Sequence, residues 1–210
     1  MDVVIPLYDR FTMLDAVGPY QVLAAVPGTR IHWLAEQAGP VKDESGTAAL
    51  VADGAWEDVP RPDVVVVPGG FGTRALLRDE RALSWLRGVH EHTRFTTSVC
   101  TGSLWLAAAG ILDGLEATGH WAAMDQLAEL GARPTGRRVV EQGKVITAAG
   151  VSSGIDMALT LVARLVAPEA AQAVQLAIEY DPQPPFDAGS PEKAPPEIVA
   201  LVRSVMDAQG

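Results

Sequence analysis

The sequence predicts a doubly wound α/β domain, a mostly parallel sheet with helices on both faces. Three observations predict it. Short apolar runs such as "DVVVVPGGFG" (63–72) have the composition of strands buried on both faces. Those runs alternate with helical stretches along the chain, the order of a sheet built from strand–helix–strand units. Nothing repeats and no linker divides the 210 residues, so residues 1–210 read as one domain.

The elements follow in order. "DVVIPLY" (2–8) is β-rich and mostly apolar, a first buried strand. "TMLDAVGPYQVLAA" (12–25) reads as a helix with a break or kink at Gly18-Pro19, because proline disfavours helix at the residue before it. "RIHWLAE" (30–36) is the next strand, with His32 in the core, and "VKDESGTAALVADG" (41–54) has the turn residues of a small hairpin. After the strand and Gly-rich turn of 63–72 come a helix over about 79–93 and a strand "RFTTSV" (94–99). A further helix begins at Cys100 or Thr101. "WAAMDQLAELG" (121–131) is a helix closed by Gly131, and "RRVVEQGKVITAAG" (137–150) is two strands around a Gln-Gly turn. "SSGIDMALTLVARLV" (152–166) is a helix whose leading serines can cap it; "APEAAQAVQLAIEY" (167–180) is another, with Pro168 in its first turn. Segment 181–197 holds six of the fifteen prolines and reads as extended chain draped over the body, before a last helix at about 195–207.

Composition removes whole classes of function. A net charge of −10 argues against nucleic acid, whose phosphates demand a basic face. The densest basic pair, Arg137-Arg138, is followed closely by Glu141. No apolar stretch approaches the ~20 residues of a membrane span, so no membrane partner is expected. "MDVVIPLYDR" has an acidic second residue and a short apolar run, unlike a signal peptide. The single cysteine excludes an intramolecular disulfide and suits a reducing compartment, so a cytoplasmic protein is expected. His90 and His92 stand two apart at a helix end and do not share a face, so they predict no metal site. "GGFGTR" lacks the G-x-G-x-x-G spacing, and no P-loop is present.

In open α/β sheets ligands bind beyond the carboxyl ends of the strands. Three such junctions carry reactive residues here: Tyr8 to Asp15, Pro68 to Gly72, and Val99 to Thr101. Cys100 falls where a strand turns into a helix, where the macrodipole and unpaired N–H groups favour thiolate, the nucleophilic form. The inert alternative is a small buried hydrophobe, the commoner fate of a free cysteine. The "GGFG" turn (69–72) and the Thr101 N–H can form an oxyanion-hole-like pocket, although a tight turn needs glycine in any case. Asp15 stands among apolar neighbours that pull it inward, so desolvation and a nearby thiolate would raise its pKa and let it carry a proton at neutral pH. A turn or helix-cap aspartate is the alternative. His120 precedes a helix and can line the site or merely pack behind it. Phe71 and Trp121 are candidate pocket walls or ordinary core.

The segments "LDAVGPYQVL", "VVVVPGGFG", "TSVCTGSLWLAAAGILDG" and "ATGHWA" resemble the DJ-1/PfpI superfamily. "VITAAGVSSGIDMALTLV" and "VQLAIEYDPQPPFDAGSP" carry the resemblance on, specifically toward its isonitrile hydratase subfamily. The resemblance covers nearly the whole chain; "SVCTGS" and "EYDPQPPFDAGSP" are its most discriminating parts, and "PGG" is superfamily-wide. It implies a flavodoxin-like sandwich, related to class I glutamine amidotransferases, and a homodimer. It also implies Cys100 as nucleophile, Asp15 as proton carrier and Thr101 as an assisting residue. Superfamily proteases carry His directly after the nucleophile, where this chain has Thr101. DJ-1-like members place Glu where this chain has Asp15. Amidotransferases need a downstream His-x-Glu that is missing here, and the AraC-type regulators append a helix-turn-helix.

The activity this implies is hydration of an isonitrile to an N-substituted formamide, without metal or organic cofactor. Cys100 would form a thioimidate and Asp15 would act as general acid and base, with Gly70 and Thr101 N–H groups steadying charge. The rival readings are another Cys-dependent reaction, glyoxalase-like or amidase, and a redox or stress sensor built on Cys100 oxidation. A binding module that kept the fold after losing chemistry is a third.

Overall fold

In the computed structural model, which describes residues 1–209, the chain opens with β1 (Asp2–Pro6), α1 (Met13–Leu23) and β2 (Arg30–Ala35). A hairpin of β3 (Gly39–Lys42) and β4 (Ala49–Ala52) follows, then the short β5 (Gly54–Ala55). The middle of the chain holds β6 (Val64–Val67), α2 (Thr73–Leu76), α3 (Glu80–His92), β7 (Phe95–Val99) and α4 (Gly102–Ala108). Next come β8 (Glu116–Ala117), α5 (Met124–Glu129), β9 (Arg133–Pro134), β10 (Val139–Gln142) and β11 (Val145–Ala148). The chain ends in α6 (Ser153–Leu165), α7 (Pro168–Ala177) and α8 (Pro196–Gln209).

Seven strands form the central sheet in the order β10-β11-β7-β6-β1-β2-β5. Its register runs in parallel through Val4↔His32, Val4↔Val65, Val65↔Thr96 and Thr96↔Val145. β10 pairs antiparallel with β11 at one edge, closing the hairpin read at 137–150. All four valines of β6 are 0% exposed. Successive strand side chains point to opposite faces, so both faces of the sheet must be covered. Full burial stabilises each valine by roughly 2 kcal/mol, which makes β6 the anchor of the core. α1 and α7 each pack on α6, and α4 packs against α2, α3 and α5. Because β1, β6, β7 and β11 run the same way, their carboxyl ends meet along one rim of the sheet.

Several local expectations change. Pro19 lies inside α1, with no break at Gly18. Both residues are buried against α6: a Cβ at Gly18 would lie 3.3 Å from Ile155, and one at Gly154 3.2 Å from the Pro19 ring. Interhelix packing outweighs the one backbone hydrogen bond that proline removes. Ser152 stands at the N-cap position of α6, but its hydroxyl caps no helix N–H and instead accepts from Arg138. His32 is not core, because its ring pairs at 2.7 Å with Asp2, a residue on the neighbouring strand. Residues 181–189 are exposed rather than draped on the body, with Phe186 79% exposed. Among the described residues no helix is long and apolar enough to cross a membrane.

Candidate active site

Cys100 follows the last residue of β7 and adopts φ = +58°, the left-handed region that side chains rarely occupy. Thr101 is the N-cap and α4 begins at Gly102, so the thiol sits one residue ahead of the cap, not in the first turn. Its backbone N–H donates to the carbonyls of Ala148 (3.2 Å) and Ala149 (3.1 Å) at the end of β11. The left-handed turn lifts the side chain off the sheet, the geometry of a nucleophile elbow.

The thiol is buried, and its pKa is pushed well above the ordinary value, by burial first and by the Asp15 carboxyl next. Backbone N–H groups of Thr101 and Val151 hydrogen-bond the sulfur and pull the other way, and a more remote Glu44 adds to the rise. The expectation of a thiolate favoured by the helix start is therefore corrected: desolvation and a neighbouring carboxyl outweigh the N–H groups, and the resting group is the thiol.

Asp15, in the first turn of α1, is 0% exposed. Burial raises its pKa from 3.8 to about 8, against the Gly69 N–H, which donates to Oδ2 at 2.9 Å. The Glu44 carboxylate pushes the same way as burial, and the Cys100 thiol is a weak hydrogen-bond partner. Oδ1 is buried and has no well-formed hydrogen bond. A carboxyl in this setting carries its proton at neutral pH, as the sequence leads one to expect.

The glycine turn fits these two groups together by its lack of side chains. A Cβ at Gly69 would lie 2.5 Å from the Thr101 nitrogen and 2.9 Å from Asp15 Oδ2. Gly70 has φ = +141°, and a Cβ there would collide with the Arg10 carbonyl, with Phe11 and with Thr12. The Gly70 N–H donates to the Thr101 hydroxyl at 2.9 Å. This corrects the oxyanion expectation: the Gly70 N–H is taken by Thr101 and the Thr101 N–H by the Cys100 sulfur. The one proton of the Thr101 hydroxyl is shared between the Gly70 carbonyl (3.2 Å) and Thr73 Oγ1 (3.1 Å), both acceptors. Tyr8 donates to the Pro68 carbonyl at 2.8 Å, so its one proton is spent and Thr73, also at 2.8 Å, donates to Tyr8. Tyr8 stands edge-on to Trp105 at 5.8 Å, which ties this chain of hydroxyls to the aromatic core.

A cavity of about 160 Å³ opens over the thiol. Of the expected wall residues, Phe71 and His120 line it; Trp121 does not, and lies instead in a neighbouring cavity under the Arg203 guanidinium (5.1 Å to the ring centroid). Burial lowers the His120 pKa, so its ring is uncharged at neutral pH. Thr12, Glu44, Val151 and Met206 also face the cavity and were not legible in the sequence. Glu44 arrives because the β3–β4 turn folds back on the α1 entry: its N–H donates to the Phe11 carbonyl at 2.9 Å, and Thr12 donates to Glu44 Oε2 at 2.8 Å. The "DESG" turn signals only a hairpin, and no local pattern says where its tip will land. Among the described residues, no group of three or more His, Cys, Asp or Glu side chains is placed to hold a metal ion.

The chain matches the DJ-1/PfpI family over residues 1–164. The chain belongs to that family. A relative, isonitrile hydratase from Pseudomonas putida, is 46% identical over 197 residues, 94% of this chain and 86% of its own length. A solved DJ-1/PfpI structure, the THiJ/PfpI family protein from Pseudomonas syringae, superposes with a TM-score of 0.94 at 36% identity, covering 99% of this chain and 86% of that one. The HTH-type transcriptional regulator CdhR of Pseudomonas aeruginosa is 30% identical over 80% of this chain but only 50% of its own length. Cys100 occupies a strand-to-helix corner of a mostly parallel sheet, where the alternation of elements in the sequence places it.

Proposed function

We propose that this enzyme hydrates an isonitrile, R–N≡C, to the formamide R–NH–CHO. The observation that carries the reading is the 46% identity to an isonitrile hydratase over 94% of the chain. The chemistry of the site supports it: a buried thiol lines a small cavity, and a buried, proton-bearing carboxyl lies beside that thiol.

Sulfur attacks the terminal carbon as that carbon is protonated. Asp15 gives the proton and receives the one the thiol loses, so no isolated charge forms in the buried pair. The product of this half is a thioimidate, R–N=CH–S–Cys100. Asp15 then protonates the imine nitrogen, and its carboxylate removes a proton from an attacking water. Collapse of the adduct forms the formyl C=O; the hydroxyl proton returns to Asp15 as the C–S bond breaks, and Asp15 reprotonates the sulfur. The N–H groups of Thr101 and Val151 stabilise the leaving thiolate, the one moment when their bonds to sulfur gain strength. Thr101 Oγ1 holds the Gly70 turn in place, an orienting role.

Formation of the formyl proton from an alkyl isonitrile, followed by NMR, tests the proposal. Wild type should turn over and Cys100→Ala should lose about a thousandfold or more. Absence of turnover by wild type, or equal rates for both proteins, sinks it. The resemblance adds a homodimer, and an apolar groove of about 520 Å³ that includes exposed Leu14 and Val51 suits one. A free thiol at the centre of the mechanism suits a reducing, cytoplasmic setting.

A further inference from the structure

The cavity over Cys100 is small for an enzyme site. Its 160 Å³ falls below the roughly 300 Å³ at which ordinary small-molecule sites begin. An isonitrile is linear at nitrogen, so once its carbon meets the sulfur the substituent points away from Cys100, along the N–R axis. Any group larger than a short alkyl chain must leave the chamber.

The lining of the chamber differs in character from one part to another. One rim carries Glu44 and Arg74, both charged and exposed. His120 and Val151 also belong to the chamber's lining, and these two residues line a second cavity of about 620 Å³ as well. That second space is bounded by Trp121 and Met124, with residues 189–192 and Arg203 over it. The His120 and Trp121 rings lie 5.6 Å apart, and the Arg203 guanidinium braces the indole at 5.1 Å. α8 bridges both spaces, presenting Met206 to the first and Arg203 to the second from positions three apart on one helix face. The His120 ring is uncharged, so an apolar group crosses it without stripping water from an ion.

We propose that the second cavity is the subsite for the nitrogen substituent, and that the preferred substrates are isonitriles bearing an extended aromatic group, received by the rings of His120 and Trp121. This rests on the hydratase reading above and adds to it the class of substrate.

The test compares kcat and KM for isopropyl isonitrile and 4-biphenyl isonitrile with the full chain. Three proteins are used: wild type, Gly136→Trp and Trp121→Ala. Gly136 lines the second cavity, is exposed, and a Cβ there meets no atom within 4 Å, so an indole fits without disturbing the fold. Wild type should favour the biphenyl compound in kcat/KM. The ratio of biphenyl to isopropyl kcat/KM should fall about tenfold or more in Gly136→Trp, chiefly through KM, and in the same direction in Trp121→Ala. Hydration of isopropyl isonitrile with no preference for the biphenyl compound, or with a ratio that Gly136→Trp leaves unchanged, overturns the subsite alone. If wild type hydrates neither compound, the hydratase reading falls and the subsite with it.

Discussion

At the scale of single residues, the proposed chemistry turns on two protons. Asp15 has its pKa raised by burial from 3.8 to about 8. Between those values the native state binds more protons than the unfolded one, so stability falls as pH rises. This contribution is complete below about pH 4, is lost progressively on the way to pH 8, and has levelled off above it. Asp15→Asn keeps an oxygen for the Gly69 N–H and removes the titration. The variant should be about as stable as wild type at pH 4 and more stable by on the order of a few kcal/mol at pH 8, read from urea denaturation. A difference that does not change with pH would contradict the assignment. The inward pull on Asp15 was readable from its apolar neighbours in "TMLDAVG". The state of Cys100 was not, because a helix start argues for thiolate and only the packed site reveals the desolvation and carboxyl that outweigh it.

At the scale of elements, a strand end, a glycine turn and a hairpin tip hold the pair in register. Gly69 is the joint between the turn and the nucleophile corner, since its missing Cβ leaves room for the Thr101 backbone and for Asp15. Gly69→Ala should cost about 1–3 kcal/mol and lower kcat together with stability. An unchanged urea midpoint would mean that the corner gives more easily than its contacts imply. The hairpin tip acts electrostatically. Glu44 raises the pKa of Asp15, whose protonated form starts the reaction in the proposed mechanism, so kcat/KM should decline as pH rises through about 8. Glu44→Gln should move that decline to lower pH; movement to higher pH, or none, would remove Glu44 from the electrostatics of the site. The strands and the hairpin were visible in the sequence through apolar runs and turn residues. α2, only four residues long, and the small β8–β9 pair were not, because elements this short carry no periodicity. Pro19 misled in the opposite direction: its local rule is sound, and packing against α6 overrode it.

At the scale of the whole molecule, parallel strand order brings residues 15, 69, 100 and 151 to one rim, though they are spread across most of the chain. The same architecture leaves an apolar groove outside that rim, with Val51 63% exposed. In the proposed homodimer this groove is covered by the second copy. Val51→Asp should then sediment as a monomer while its folding stability stays within about 0.5 kcal/mol of wild type, as for an ordinary surface change. A dimer that survives the substitution would place the interface elsewhere.

The sequence by itself determined the alternation of strands and helices, the strand-to-helix corner that holds Cys100, the inward pull on Asp15 and the family. Each is written locally, in apolar period, turn residues and short motifs. Tertiary structure alone decided which backbone N–H groups reach the sulfur, that the Gly70 N–H is bound to the Thr101 hydroxyl, and that Glu44 and Met206 line the cavity over Cys100 while Trp121 lines a second one. Those outcomes depend on distances between residues far apart in the chain, and local sequence patterns fix no such distance. Packing does.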